Sequence, residues 1–137
     1  MLRQGQTKVG QVDMSRFLRN KNINIHGDGL QTRSISHAID IASGLRDMLC
    51  NFEKTKGRIL NLGTDQETTV KYVAEYIIRK IQSESKINYS KGIFGNYNEI
   101  KRRYANTSLA KDLIGYETKC TTEQVIDQII LNRMKAK

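Results

Sequence analysis

The chain has 137 residues, enough for one domain that buries roughly two-thirds of its unfolded surface. Apolar residues make up 38% of it, which is low for a compact globule but above a disordered composition, and no apolar run is long enough to cross a bilayer. A net charge of +9, from 23 Lys and Arg against 14 Asp and Glu, favours polyanions such as nucleic acid, an acidic membrane face or phosphate-bearing small molecules.

No basic-then-apolar leader for secretion opens the sequence. Cys50 and Cys120 stand apart, with no Cys-x-x-Cys or Cys/His cluster of metal-ligand spacing. They read as thiols in a reducing compartment, and a cytoplasmic protein is expected. Proline is absent, so helix ends must be set by glycine and by capping side chains.

Residues 1–13 have no useful period and read as a disordered or poorly packed lead-in to a domain over 14–137. Met14 to Leu18 suits a short helix, and Ile23 to His26 alternates as a strand does. The strand runs into Gly27-Asp28-Gly29, where glycine permits positive φ and a close approach by another segment. A helix stripe then follows through Ala38, Ile41, Ala42, Leu45, Met48, Leu49 and Phe52, with Ser36 as its N-cap. Gly57 breaks that helix, and Arg58-Ile59-Leu60-Asn61-Leu62 reads as a short buried strand stopped by Gly63.

A second helix is predicted through Val70, Val73, Ala74, Ile77 and Ile81, capped by Thr68 or Thr69. Lys86 to Tyr89 is a candidate strand, and Gly92 to Ile100 a loop. Asn106 or Thr107 caps a short helix ended by Gly115, and Thr121-x-x-Gln124 is a capping box for the last helix. Strands alternating with helices predict an α/β layer structure.

Arg33 lies on an extended segment beside the glycine turn, where a planar fork of donors can grip a phosphate. Lys101-Arg102-Arg103-Tyr104-Ala105-Asn106-Thr107, leading into a helix, is the second candidate anion site. Either stretch, taken alone, could equally be a solvated basic surface. His26 and His37 have no ligand-spaced partner and read as structural or surface residues. Asp40 suits the positive end of its helix. Tyr76 and Lys80 have a Tyr-x-x-x-Lys spacing within a regular amphipathic helix, which reads as a chance match.

Four stretches in order resemble a known family. They are Gly27-Asp28-Gly29-Leu30-Gln31-Thr32-Arg33-Ser34, Asn61-Leu62-Gly63, Arg102-Arg103-Tyr104-Ala105 and Ala110-Lys111-Asp112-Leu113-Ile114-Gly115-Tyr116-Glu117. They look like the carboxyl-terminal half of the NAD-dependent epimerase/dehydratase family, the extended short-chain dehydrogenases that act on nucleotide sugars. The resemblance runs from about Val12 to the last helix. It implies a small mixed α/β substrate-binding half, with the Rossmann nucleotide-binding half missing. It also implies that Arg33, in its Gln31-x-Arg33 element, reaches the pyrophosphate of a sugar nucleotide. Arg102 and Arg103 would then lie in the segment closing over the nucleotide end.

The sequence also departs from the family. Gly5 and Gly10 do not follow a strand, so the Gly-x-x-Gly-x-x-Gly turn that receives the cofactor pyrophosphate has no counterpart. A credible catalytic Tyr-x-x-x-Lys is missing, and no catalytic or cofactor-binding residue is assigned. The loop that usually carries another phosphate-binding arginine reads Gly95-Asn96-Tyr97-Asn98-Glu99. The expectation is a truncated or split epimerase/dehydratase-like chain that binds a nucleotide diphosphate sugar and does not transfer hydride alone. NAD(P) belongs to the full-length family, and the partner expected is a Rossmann half or a second copy, without a membrane. One alternative is a purely structural partner that completes a separately encoded Rossmann half; the other is a basic α/β module for nucleic acid. The latter is disfavoured because no predicted helix gathers basic residues on one face and no aromatic-basic strand offers a stacking platform.

Overall fold

The structure is a computed structural model that describes residues 8–9, 12–90 and 100–135. The expected loop over 92–100, including the Gly95–Glu99 departure, lies outside the described residues except for Ile100. Much of the expected lead-in lies outside them as well. Within it, β1 (Lys8–Val9) and β2 (Val12–Asp13) pair antiparallel. There follow α1 (Met14–Phe17), β3 (Ile23–His26), β4 (Thr32–Arg33), α2 (Ala38–Cys50) and α3 (Phe52–Thr55). The chain continues through β5 (Thr68–Thr69), α4 (Val70–Ile81), β6 (Ile87–Ser90), β7 (Arg102–Arg103), α5 (Ser108–Ile114) and α6 (Thr122–Lys135).

The core follows from the strand period. Ile23 and Ile25 of β3 point inward and are each 1% exposed, while Asn24 between them faces solvent. β3 pairs in parallel with β6, Ile23 beside Ile87, and α4 packs over it with Val70, Val73, Ala74 and Ile77. Phe17 of α1 and Ile126 and Ile130 of α6 close the cluster. Parallel strands with helices packed on them make a mixed α/β fold.

Several helix ends form as their sequences predict. Thr69 caps α4 by accepting the Tyr72 N–H at 3.1 Å. Thr121 and Gln124 form the reciprocal capping box at 2.9 and 3.3 Å. Gly115 closes α5 at φ +67°, and Asn106 Oδ1 accepts the Ser108 N–H at 3.1 Å.

The surroundings of α2 differ from expectation. Its N-cap is His37, whose Nδ1 accepts the Ile39 N–H at 3.0 Å. The Ser36 hydroxyl instead accepts the Thr64 N–H at 2.9 Å, tying the start of α2 to the loop after Gly63. The apolar stripe does not face the core: Leu45, Leu49 and Phe52 are exposed, and the buried residues of α2 are Asp40 and Gly44. Asp40 does more than favour the helix dipole, because its carboxylate accepts the N–H groups of Lys119 and Cys120 at 3.1 and 3.2 Å.

The segment Arg58 to Leu62 forms no strand pair among the described residues, and Ile59 is 91% exposed, so the expected buried strand is not formed there. An apolar strand sequence needs a neighbouring edge to satisfy its backbone, and among the described residues none pairs with this one.

Gly44 lies where α2 crosses Tyr116, which is buried and accepts the Gly63 N–H on its hydroxyl at 3.1 Å. A Cβ at Gly44 would come within 2.7 Å of the Tyr116 ring and 2.8 Å of Leu62 Cδ2. The ring is held by its own hydrogen bond and cannot move away freely. Gly44→Ala should therefore lower unfolding stability by about 1–3 kcal/mol, read as a fall in urea midpoint at unchanged m-value.

Candidate anion-binding site

The site is built from the glycine turn outward. Gly27 and Gly29 adopt φ +76° and +77°, and Asp28 Oδ1 accepts the Leu30 N–H at 2.9 Å to lock the turn. A Cβ at Gly29 would meet Lys71 Cβ and Tyr89 Cε1 at 3.1 Å, so this glycine serves a close approach of α4 and β6. The carbonyls of Gly29 and Gln31 receive the N–H groups of Lys71 and Val70 at 3.0 and 3.1 Å. The turn thereby satisfies the open N-terminus of α4 and directs the next residues into β4.

β4 is the middle strand of the order β5-β4-β7. It pairs antiparallel with β5 and in parallel with β7, placing Thr32 beside Arg102 and Arg33 beside Arg103. The Thr32 and Ser34 N–H groups bond the carbonyls of Lys101 and Arg103 at 2.7 and 3.2 Å. β5 is held to α6 by a 3.3 Å contact between the Thr68 and Thr122 hydroxyls.

Strand alternation then divides the arginines. Arg33 and Arg103 line one cleft of about 380 Å³, together with Ser34, Asn61, Leu62, Tyr104 and Ala105. Arg33 Nη1 donates to the carbonyls of Thr32 and Ile100 at 2.6 and 2.9 Å, fixing the guanidinium at the cleft. Arg102 goes to the other side. Its Nε donates to Glu67 Oε2 at 3.1 Å and its Nη2 to Glu67 Oε1, while the Thr32 hydroxyl donates to Oε2. The Arg102 guanidinium also lies 5.0 Å from the centre of the Tyr104 ring. Bonds from Arg102, and then from Thr32, hold the Glu67 carboxyl down to about 2.

Of the residues the sequence singled out, Arg33 and Arg103 meet in the cleft, and Arg102 is engaged by Glu67. Gln31 is 5% exposed and is not among the cleft residues. Its Nε2 donates to the His26 carbonyl at 2.9 Å, and its Oε1 is buried without a hydrogen-bond partner. His26 and His37 contact Ser90 and Gln128, each at 3.3 Å. Tyr76 and Lys80 both bond Asp127, at 2.9 and 2.7 Å, and so join α4 to α6. Sequence reasoning missed Glu67 as the partner of Arg102, and Asn61 and Ser34 as cleft residues: the pairing of β4 with β5 and β7 brings Glu67 to Arg102, and a 3.2 Å bond from Asn61 Nδ2 to the Asn106 carbonyl holds Asn61 at the cleft.

A larger groove of about 710 Å³ runs between α1, α4 and α6, lined by Phe17, Ile81, Ile130, Leu131 and Met134 among others. Its basic side chain, Lys80, is held by Asp127, so the groove is less suited to an anion than the smaller cleft. Among the described residues no cluster of His, Cys, Asp and Glu could hold a metal ion. Nor is any helix there long and apolar enough to cross a membrane.

No protein-family model matches the chain. It is 26% identical over 116 residues to a UDP-N-acetyl-alpha-D-glucosaminuronate decarboxylase of Bacillus cytotoxicus, covering 82% of this chain and 36% of that protein. It is 27% identical over 111 residues to UDP-glucuronic acid decarboxylase 4 of Arabidopsis thaliana, covering 81% of this chain and 24% of that one. The X-ray structure of Pal from Bacillus thuringiensis superposes with a TM-score of 0.76 at 27% identity, over 90% of this chain and 38% of that one. The chain is similar, in sequence and in fold, to part of the nucleotide-sugar decarboxylases and epimerases of the NAD-dependent epimerase/dehydratase family. It spans 24% to 38% of the length of these relatives. The family-like stretches Gly27–Ser34 and Arg102–Ala105 carry the two arginine-bearing strands of the cleft.

The NAD cofactor that this family implies does not fit the residues described here. A dinucleotide cradle needs a glycine turn that leads from a strand into an open helix N-terminus. The Gly27–Gly29 turn leads into β4 instead, and its carbonyl occupies the first turn of α4.

The Glu67 contacts give a pH dependence of definite sign. A folded-state value of about 2, below the ordinary 4.5, means that the stabilisation is complete above about 4.5 and is lost as pH falls toward 2. The stability difference between the wild type and Glu67→Gln should therefore be largest near pH 6. It should shrink steadily below pH about 4.5, as measured by urea unfolding at each pH.

Proposed function

We propose that this chain provides the sugar-nucleotide-binding part of an NAD-dependent epimerase/dehydratase, with Arg33 and Arg103 gripping the diphosphate of a nucleotide sugar. The observation that carries the reading is the parallel pairing of these two arginines at one cleft. Two guanidinium-bearing residues opposite one another at one cleft suit the oxygens of adjacent phosphates, and Tyr104 and Asn61 add an aromatic ring and an amide to the lining. The relatives' names refer to UDP sugars, which favours a uridine diphosphate ligand.

In this reading the chain does not transfer hydride alone, because the cofactor cradle must come from residues beyond these 137. Whether those residues belong to the same polypeptide or to another, they would cover the exposed apolar side chains Leu45, Leu49, Phe52 and Ile59. The two free cysteines fit a cytoplasmic setting.

Titration calorimetry with UDP, dTDP, GDP and UDP sugars tests the binding. Binding that free UDP competes away is expected, and Arg33→Gln or Arg103→Gln should each weaken it about ten- to hundredfold, as for loss of a charged hydrogen bond. Salt-steep uptake of DNA or RNA that UDP does not displace would favour the nucleic-acid alternative. Turnover of a UDP sugar by the chain and NAD alone would overturn the non-catalytic part of the reading.

The uncovered face has its own consequence. Sedimentation velocity should show concentration-dependent self-association of the wild type, reduced in a Leu49→Asp, Ile59→Asp variant that keeps its helical circular dichroism.

A further inference from the structure

We propose that Glu67 is a positioning residue for the anion-binding cleft. By clasping Thr32 and Arg102 on the far side of β4 and β7, it fixes the spacing of Arg33 and Arg103 on the near side. What the cleft takes rests on the diphosphate reading above; the mechanical part of the inference does not.

Three observations lead here. β4 and β7 are two residues each, and a strand pair that short has little hold of its own. Their near sides bring two guanidinium-bearing residues directly opposite one another, an arrangement that pushes strands apart. On the far side a single carboxylate accepts from both strands, since Oε2 takes the Thr32 hydroxyl and Arg102 Nε while Oε1 takes Arg102 Nη2.

Glu67 also directly precedes β5, which is paired with β4 on its other edge. Its side chain therefore crosses β4 to reach β7, and one residue ties together all three strands. Charge adds to the effect. The carboxylate attracts the Arg102-bearing strand and offsets part of the repulsion created by Arg33 and Arg103. Because Arg102 is turned to this side, it acts on the cleft through the backbone of β7 and through the Tyr104 ring it overlies, not by contact with the ligand.

Amide hydrogen exchange on the full chain, as wild type, Glu67→Gln and Glu67→Asp, tests the mechanical part. Glu67→Gln should speed exchange of the Thr32 and Ser34 amides at least tenfold. It should leave Ile23 and Gly27, which bond Lys86 and Ser90 across β3 and β6, unchanged. Equal acceleration in both sheets, or none in either, would overturn the proposal. UDP binding by the same proteins tests the positioning. A roughly tenfold loss in Glu67→Gln, partly restored in Glu67→Asp and absent in an Arg103→Gln background, is expected. A loss that persists undiminished in that background would mean Glu67 does not act through Arg103. If the wild type binds no UDP, the diphosphate reading falls by itself, and the amide pattern still decides whether Glu67 holds the strands.

Discussion

The parallel contact of β4 with β7 is the constraint on which the candidate site depends. Parallel neighbours cannot be joined by a tight turn, so everything from α2 to β6 forms the crossover that brings Arg102 and Arg103 back beside Thr32 and Arg33. Closing so long a connection costs chain entropy that two residues of pairing cannot offset. The offset comes from elsewhere. Ile23 and Ile25, the inner face of α4, and Ile126 with Ile130 bury the apolar surface that holds the crossover closed. The cleft is a by-product of that core, placed where the chain leaves and rejoins it.

Electrostatics explains why such a by-product could be useful. The fold concentrates Arg33, Arg102 and Arg103 at one strand pair in a chain already carrying +9. Alternation sends Arg102 to the side where Glu67 receives it, and leaves Arg33 and Arg103 facing one cavity. Two cations on adjacent strands repel one another, and in the proposed reading a diphosphate would relieve that repulsion where a neutral ligand would not. A lysine pair could supply the charge, but not the fork geometry that matches phosphate oxygens.

The parts of the fold that could be read from sequence were those governed by neighbours in the chain. The Thr121–Gln124 box, the Thr69 cap, the Gly115 terminus and the positive φ of Gly27 and Gly29 are all settled within a few residues. Arg33 was legible because it follows such a turn. The division between Arg102 and Arg103 was not, since a one-residue shift of β7 against β4 would exchange their roles and only pairing fixes the register. Glu67 gave no local signal either; its partners are 35 positions away in both directions. Ser36 and His37 show how narrow the margin is. Both can cap α2, and the outcome depends on whether Thr64 competes for the serine hydroxyl.

The reversed helix α2 and the unpaired segment after it have one explanation between them. The period of the stripe predicts the helix but leaves open the direction in which the stripe faces. A helix that buries a carboxylate and a glycine while exposing Leu45 and Leu49 is amphipathic toward something other than this core. Asp40 could not be placed outward without stranding the N–H groups of Lys119 and Cys120, and Gly44 could not be turned away without a larger residue meeting Tyr116. The inner side of α2 is thus determined by polar and steric fit, which leaves the apolar side available. Ile59, on a stretch without a strand partner among the described residues, is a second exposed apolar side chain. A layer that offered both an apolar face and a free strand edge would satisfy the two at once. An α/β cofactor domain is a structure of that kind, and it is the part of the proposed enzyme that these residues do not themselves contain.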